Sequence, residues 1–152
     1  MDPKLDKDAV IQVLNRIMEL ELAGVVRYTH YGLMVYGFSR IPIVEWMNKQ
    51  AEEGLLHARQ AGELVTWLGG HPSLGIGRLL ESEQHDIADI LRESLGHEGE
   101  TLGAYYDLLK LSEGRDVRLE EYARDMIAAE VAHRDEVDKM LRRPGQTGRF
   151  EA

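Results

Sequence analysis

The run Arg124-Asp-Met-Ile-Ala-Ala-Glu130-Val-Ala-His133-Arg-Asp-Glu-Val137 decides how this chain folds. Glu130 and His133 stand three apart, and on an α-helix such positions share a face, so both side chains reach one ion from the same side. Ile127 and Val137 lie on the same stripe, which turns that face toward a core. In a chain with 27 acids and six histidines, a lone E-x-x-H also reads as a solvated pair. The remaining segments have to separate the two readings.

Turn signals cut the chain into four long periodic segments. Helix A is predicted from about Leu5 to Tyr36, with Val10, Leu14, Ile17, Val25 and Leu33 marking one side, and Gly37-Phe38-Ser39 breaks it. Helix B starts with Ser39 as N-cap and Pro42 in its first turn, and stops at Gly69-Gly70. His71-Pro-Ser-Leu-Gly-Ile-Gly-Arg78 is the one long connection. Helix C runs from about Leu80 to Leu111 and stops at Gly114; helix D starts after Asp116 as N-cap and ends before Pro144-Gly145. Nothing alternates with a period of two, so no strands are expected. Each helix is roughly 30 residues, against a usual mean of about 11–12. Two short turns and one long B–C crossover describe an all-α four-helix bundle of two antiparallel hairpins. A single domain spans 1–152, with the bundle over about 5–143 and a short irregular tail over 144–152.

Composition narrows the function. No cysteine is present, which excludes disulfides, iron–sulfur clusters and a rubredoxin-type site. A formal net charge of −9 repels phosphate backbones and argues against nucleic acid as partner. No run of about 18 apolar residues exists for a membrane span. The opening MDPKLDKDAV has no apolar core of a signal peptide, so a cytoplasmic location is expected.

Each other helix also carries an ionisable group on an apolar stripe. Glu21 lies among Leu14, Met18, Val25 and Tyr28; Glu98 among Leu91, Leu95, Leu102 and Tyr105; His57 with Glu53, Ala61, Leu64 and Leu68. Charged side chains are rarely buried without a partner, and a pair of metal ions gives these intrusions one explanation. Glu21, Glu53, Glu98 and Glu130 bring four negative charges, which two divalent cations balance. Without metal the carboxylates repel, and some are expected to take up protons. Carboxylate and imidazole donors suit iron or manganese, and zinc is compatible. Tyr28, the candidate catalytic side chain, reads either as a hydrogen-bond partner of a ligand carboxylate or as an ordinary core aromatic. His97 points about 100° away from Glu98 and reads as a surface or interface residue. His30 and His85 have no partner at ligand spacing and read as structural. Gly96, Gly99 and Gly103 suggest a close helix crossing or room for something bulky.

As a set, these residues resemble the bacterioferritins. Glu21-Leu-Ala…Tyr28 is similar to the family's helix A, His57-Ala-Arg…Trp67-Leu-Gly-Gly-His-Pro to its helix B and exit, Leu91-Arg…Glu98 to helix C, and Arg124-Asp-Met…Glu130-Val-Ala-His133 to helix D. The resemblance covers roughly residues 10–142. It implies a ferritin-like bundle with a di-iron carboxylate site and ferroxidase activity on Fe(II) with dioxygen or peroxide, in a homo-oligomer that stores or detoxifies iron. On that pattern Glu21 and Glu98 cap the two ions, Glu130 bridges them, and His57 and His133 each bind one. Two departures stand out. The glutamate expected three before His57 is Gly54, and Glu53, at i−4, either replaces it, or a local bulge repositions the helix, or the second ion is held weakly, or the site is mononuclear or lost. The family's haem methionine is Leu55, so haem is not expected. The tail after Leu141 is too short and broken for the fifth helix of cage-forming relatives. A di-iron or di-manganese oxidase or peroxidase without mineral storage, and a metal-free helical binding protein, are the alternative readings.

Overall fold

The computed structural model describes residues 4–79 and 81–150. Four helices carry the chain: α1 (Lys7–Met34), α2 (Arg40–Trp67), α3 (Ile87–Ser112) and α4 (Val117–Leu141); among the described residues there is no strand. Three of them open on an aspartate whose carboxylate accepts a first-turn amide: Asp6 from Ala9, Asp86 from Ala88 and Asp116 from Leu119. Such caps satisfy amides that have no partner within the helix. Ser39 precedes α2 as expected but makes no side-chain cap. Instead Arg40 donates to the carbonyls of Gly32 and Val35, so the first residue of α2 covers the end of α1.

α1 packs on α2, α3 on α4, and α1 on α3. Tyr28 of α1 meets Glu98 of α3 while Tyr105 of α3 meets Glu21 of α1, so these two helices run antiparallel. The core falls into two apolar halves. Leu14, Ile17, Leu64, Val65, Leu108 and Leu119 belong to one; Tyr31, Val35, Met47, Ile90, Leu91 and Val137 belong to the other. The stretches between them on all four helices hold the polar residues described below. Leu33, expected on the buried side, is 66% exposed. It lies five turns and about 100° further round from Leu14, and Tyr31 and Val35 take its place inside.

The crossover is longer than expected. Glu81–Asp86 is not helical and α3 begins at Ile87; Leu80, the expected start of helix C, lies outside the described residues. The polar run Ser82-Glu-Gln-His-Asp86 keeps a helix-compatible composition, but its amides go to side chains: Ser82 N–H to Glu93, Glu83 N–H to Glu81, Gln84 N–H to Ser82. Local bonds of this kind compete with helix. The crossover is fastened along α1. Asn15 exchanges bonds with His71 and Ser73, Ser73 donates to Glu19 at 2.6 Å, and Gly77 N–H donates to the Glu19 carbonyl at 2.9 Å. A Cβ at Gly77 would stand 3.1 Å from that same carbonyl, so the close approach requires glycine.

Candidate metal centre

Between the two apolar halves, Glu21 of α1, Glu98 of α3 and Glu130 of α4 are each only 7% exposed. With His57 of α2 and His133 of α4 they line a cavity of about 100 Å³. Five of the sequence-predicted donors therefore face one space. Glu53 lines the same cavity but is itself exposed, at its rim.

The buried groups form two crossed pairs. Tyr105 donates to Glu21 at 2.8 Å, and His57 Nδ1 stands 3.5 Å from the other oxygen of that carboxylate. Tyr28 donates to Glu98 at 2.6 Å, with His133 Nε2 3.3 Å from the same oxygen. Trp46 stacks on the His133 ring at 5.6 Å and fixes its plane. Each tyrosine follows the glutamate of its own helix by seven residues and bonds the glutamate of the other. Burial, reinforced by the adjacent carboxylate charge, pushes both phenols far above their ordinary range, so they stay protonated donors.

Both imidazoles that face the buried carboxylates hold a proton more tightly than a free imidazole. Its hydrogen bond to Glu21 raises His57 against the opposing effect of burial, and the charges of Glu21, Glu53 and Glu98 add to the rise. For His133, burial pulls down, and the bond and charge of Glu98 together outweigh it. Burial likewise pushes the Glu98 carboxyl up, but His133 and Tyr28 bring it net below the usual range. The expectation that some metal-free carboxylates take up protons does not extend to Glu98, whose charged form His133 and Tyr28 favour.

Glu130 differs. Its Oε1 is buried and has no hydrogen-bond partner. An oxygen in that state forfeits solvation without compensation, and a cation on the cavity side would restore it. Hard oxygen donors with imidazole nitrogens fit iron or manganese. Among the described residues, no three donors of this cavity lie mutually within 4.8 Å, so ions shared by both pairs would need the pairs to move closer together.

Further sequence readings change. α2 runs through Gly54 as unbroken α-helix, with no bulge. A Cβ there would stand 3.2 Å from Val25 Cγ2 and 3.3 Å from the Glu21 carbonyl, so α2 meets the α1 backbone where a glutamate was expected. His97, read as a surface residue, is 6% exposed and lines the cavity against Gly24; burial pushes its pKa down. Its angular offset from Glu98 aims it at α1, and nothing in the sequence says that α1 lies there. Tyr105, read as an apolar-stripe residue, is the second carboxylate-holding phenol. The repeated Glu-x₆-Tyr spacing of Glu21…Tyr28 and Glu98…Tyr105 is the signal that marks it. His30 of α1 and His85 of the crossover lie beside each other, away from the cavity.

The sequence matches the ferritin-like domain family over residues 11–145. No protein of curated function matches it. Among solved structures, it is similar to a ferritin-like diiron-carboxylate protein from Bacillus anthracis (26% identity, TM-score 0.80, covering 90% of this chain and 98% of that one). It is also similar to the Desulfovibrio desulfuricans bacterioferritin, a protein with a diiron site (27%, 0.75, 89% and 79%). A dodecameric thioferritin, the bacterioferritin-related protein of Bacteroides fragilis, shares the fold (22%, 0.84, 91% and 87%).

Proposed function

The chain belongs to the ferritin-like domain family, and from that membership we propose that it is a bacterioferritin-like iron protein with ferroxidase activity. Its substrate is Fe(II), taken up by Glu21, Glu98, Glu130, His57 and His133, with Glu53 supplying a further carboxylate from the rim. The observation that carries this reading is the buried, partnerless Glu130 Oε1 facing two carboxylate–imidazole pairs in one cavity. Bound as a pair, two Fe(II) ions would each give up one electron and become Fe(III), the two electrons with two protons reducing dioxygen to hydrogen peroxide or hydrogen peroxide to two waters.

The protein's own groups prepare that exchange. Tyr28 and Tyr105 hold one oxygen each of Glu98 and Glu21, leaving the carboxylates aimed and partly free to bind. His57 and His133 each stand against one of these carboxylates, and their nitrogens must be proton-free to bind an ion, so metal uptake is tied to proton release there. The apolar halves above and below limit water to the cavity itself. A cytoplasmic homo-oligomer is the proposed setting.

Glu130→Ala is expected to abolish rapid Fe(II) oxidation, followed by ferric absorbance, while the helical circular dichroism survives. Unchanged oxidation kinetics would remove the cavity from consideration. A second reading, a di-iron or di-manganese oxidase or peroxidase without mineral storage, uses the same donors. Light scattering separates them: a hollow shell supports storage, a dimer supports the enzyme.

A further inference from the structure

We propose that His30, Glu81 and His85 form a second site, for a divalent transition-metal ion of the zinc or iron(II) class, at the seam between α1 and the crossover. His30 comes from α1 while Glu81 and His85 stand four residues apart in the crossover, and one ligand atom of each lies within 4.8 Å of the others. Glu81 uses both its oxygens: Oε2 faces His30 Nε2 at 2.5 Å and Oε1 faces His85 Nε2 at 3.1 Å. The His30 nitrogen is shielded from solvent, yet it meets the carboxylate without the alignment of a hydrogen bond.

Two imidazoles and one carboxylate are a donor set that borderline divalent cations prefer, and it excludes thiolate-seeking metals. Donors bound to one ion at about 2.0–2.2 Å stand about 3–3.5 Å apart; here the carboxylate–imidazole spacings are 2.5 and 3.1 Å and all three donors lie within 4.8 Å, so small side-chain shifts suffice. The carboxylate is already oriented, because the Glu83 N–H donates to its Oε1 at 2.7 Å. The neighbouring backbone is held as well: Ser82 donates twice to Glu93, which Tyr31 of α1 also grips at 3.0 Å. Metal ligands supported in this way lose little freedom on binding.

His30 and Glu81 also border a pocket of about 230 Å³ whose other walls include Val26 and Leu79. Three protein donors leave a tetrahedral or larger shell incomplete, and this pocket gives water or a small ligand access to the open position. An ion here would tie the crossover to the C-terminal part of α1, independently of the central cavity.

Metal-free protein titrated with Co(II) near pH 7.5, where ordinary imidazoles are largely neutral, tests the site. His30→Ala and His85→Ala are each expected to hold one tightly bound ion fewer per chain than wild type, with affinity at this site lower by at least about tenfold. Glu130→Gln is expected to keep that ion and to lose metal from the cavity instead. Wild-type stoichiometry in His85→Ala overturns the proposal and leaves the cavity reading intact. A second measurement avoids mutation: Zn(II) should protect His30 and His85 of the wild-type protein from acylation by diethyl pyrocarbonate, and equal modification with and without Zn(II) also overturns it.

Discussion

At the scale of single residues, the cavity is governed by which group holds which oxygen. Tyr105 has no metal-facing atom of its own, but it fixes Glu21. Tyr105→Phe is therefore expected to weaken metal binding about 10–100-fold with helicity unchanged, measured by titration of the metal-free protein; unaltered affinity would reduce the tyrosine to packing. Protonation gives a second expectation. His57 and His133 bind protons more tightly folded than unfolded, so their stabilisation is complete below the unfolded value of about 6.5 and is lost as pH rises through their higher folded values. His97 is lowered, so its contribution is present above about 6.5 and is lost as pH falls below it. Glu98 is lowered too, and its contribution fades only at more acid pH. The melting temperature of the chelator-treated protein should thus peak near neutrality and decline on the alkaline side, and His133→Ala should flatten that decline. A midpoint independent of pH above about 6.5 would contradict the assignment.

At the scale of helices, the glycines divide into those that permit contact and those that merely weaken the helix. Gly54 brings α2 against the α1 backbone, whereas a Cβ at Gly96 or Gly103 meets nothing within 4 Å. Of the three glycines on helix C read as a close crossing or as room for something bulky, only Gly99 is crowded, with Arg134 Nη1 2.9 Å from its Cβ position, while Gly96 and Gly103 face open space. Gly103→Ala is expected to stabilise by about 0.5–1 kcal/mol through helix propensity alone. Gly54→Ala gains the same propensity but must displace a backbone carbonyl, an overpacking cost of about 1–3 kcal/mol. Urea unfolding should rank Gly103→Ala above wild type and Gly54→Ala at or below it; the reverse order would mean that α2 does not approach α1 as described.

At the scale of the whole molecule, metal uptake and self-association are both measurable. Ligands that bind only the folded state stabilise it by about 2.7 kcal/mol at a hundredfold excess over Kd. For a chain of this size that raises the melting temperature by about 5–10 °C. Mn(II), which resists oxidation by air, is the convenient ion, and an unchanged midpoint would argue against a filled cavity. Phe38, Ile41 and Leu74 are almost fully exposed, and Leu33, Tyr36 and Leu56 are largely so. Apolar exposure of that kind is expected to drive association of copies, and light scattering should report a particle larger than one chain; a monomer would remove the oligomer from the proposal.

The sequence by itself determined the four helices, because aspartate caps, glycine breaks and an apolar stripe act within one helix and repeat along it. It also picked out Glu21, Glu98, Glu130, His57 and His133, since a charge on an apolar stripe is legible from angular position about a single axis. Only the tertiary structure decided that Tyr105 holds Glu21, that Glu53 stands at the rim, that His97 turns inward, and that His30 meets Glu81 and His85. Those facts depend on where a neighbouring helix or the crossover lies. Spacing along one helix fixes direction around its axis, but not the distance to what stands opposite.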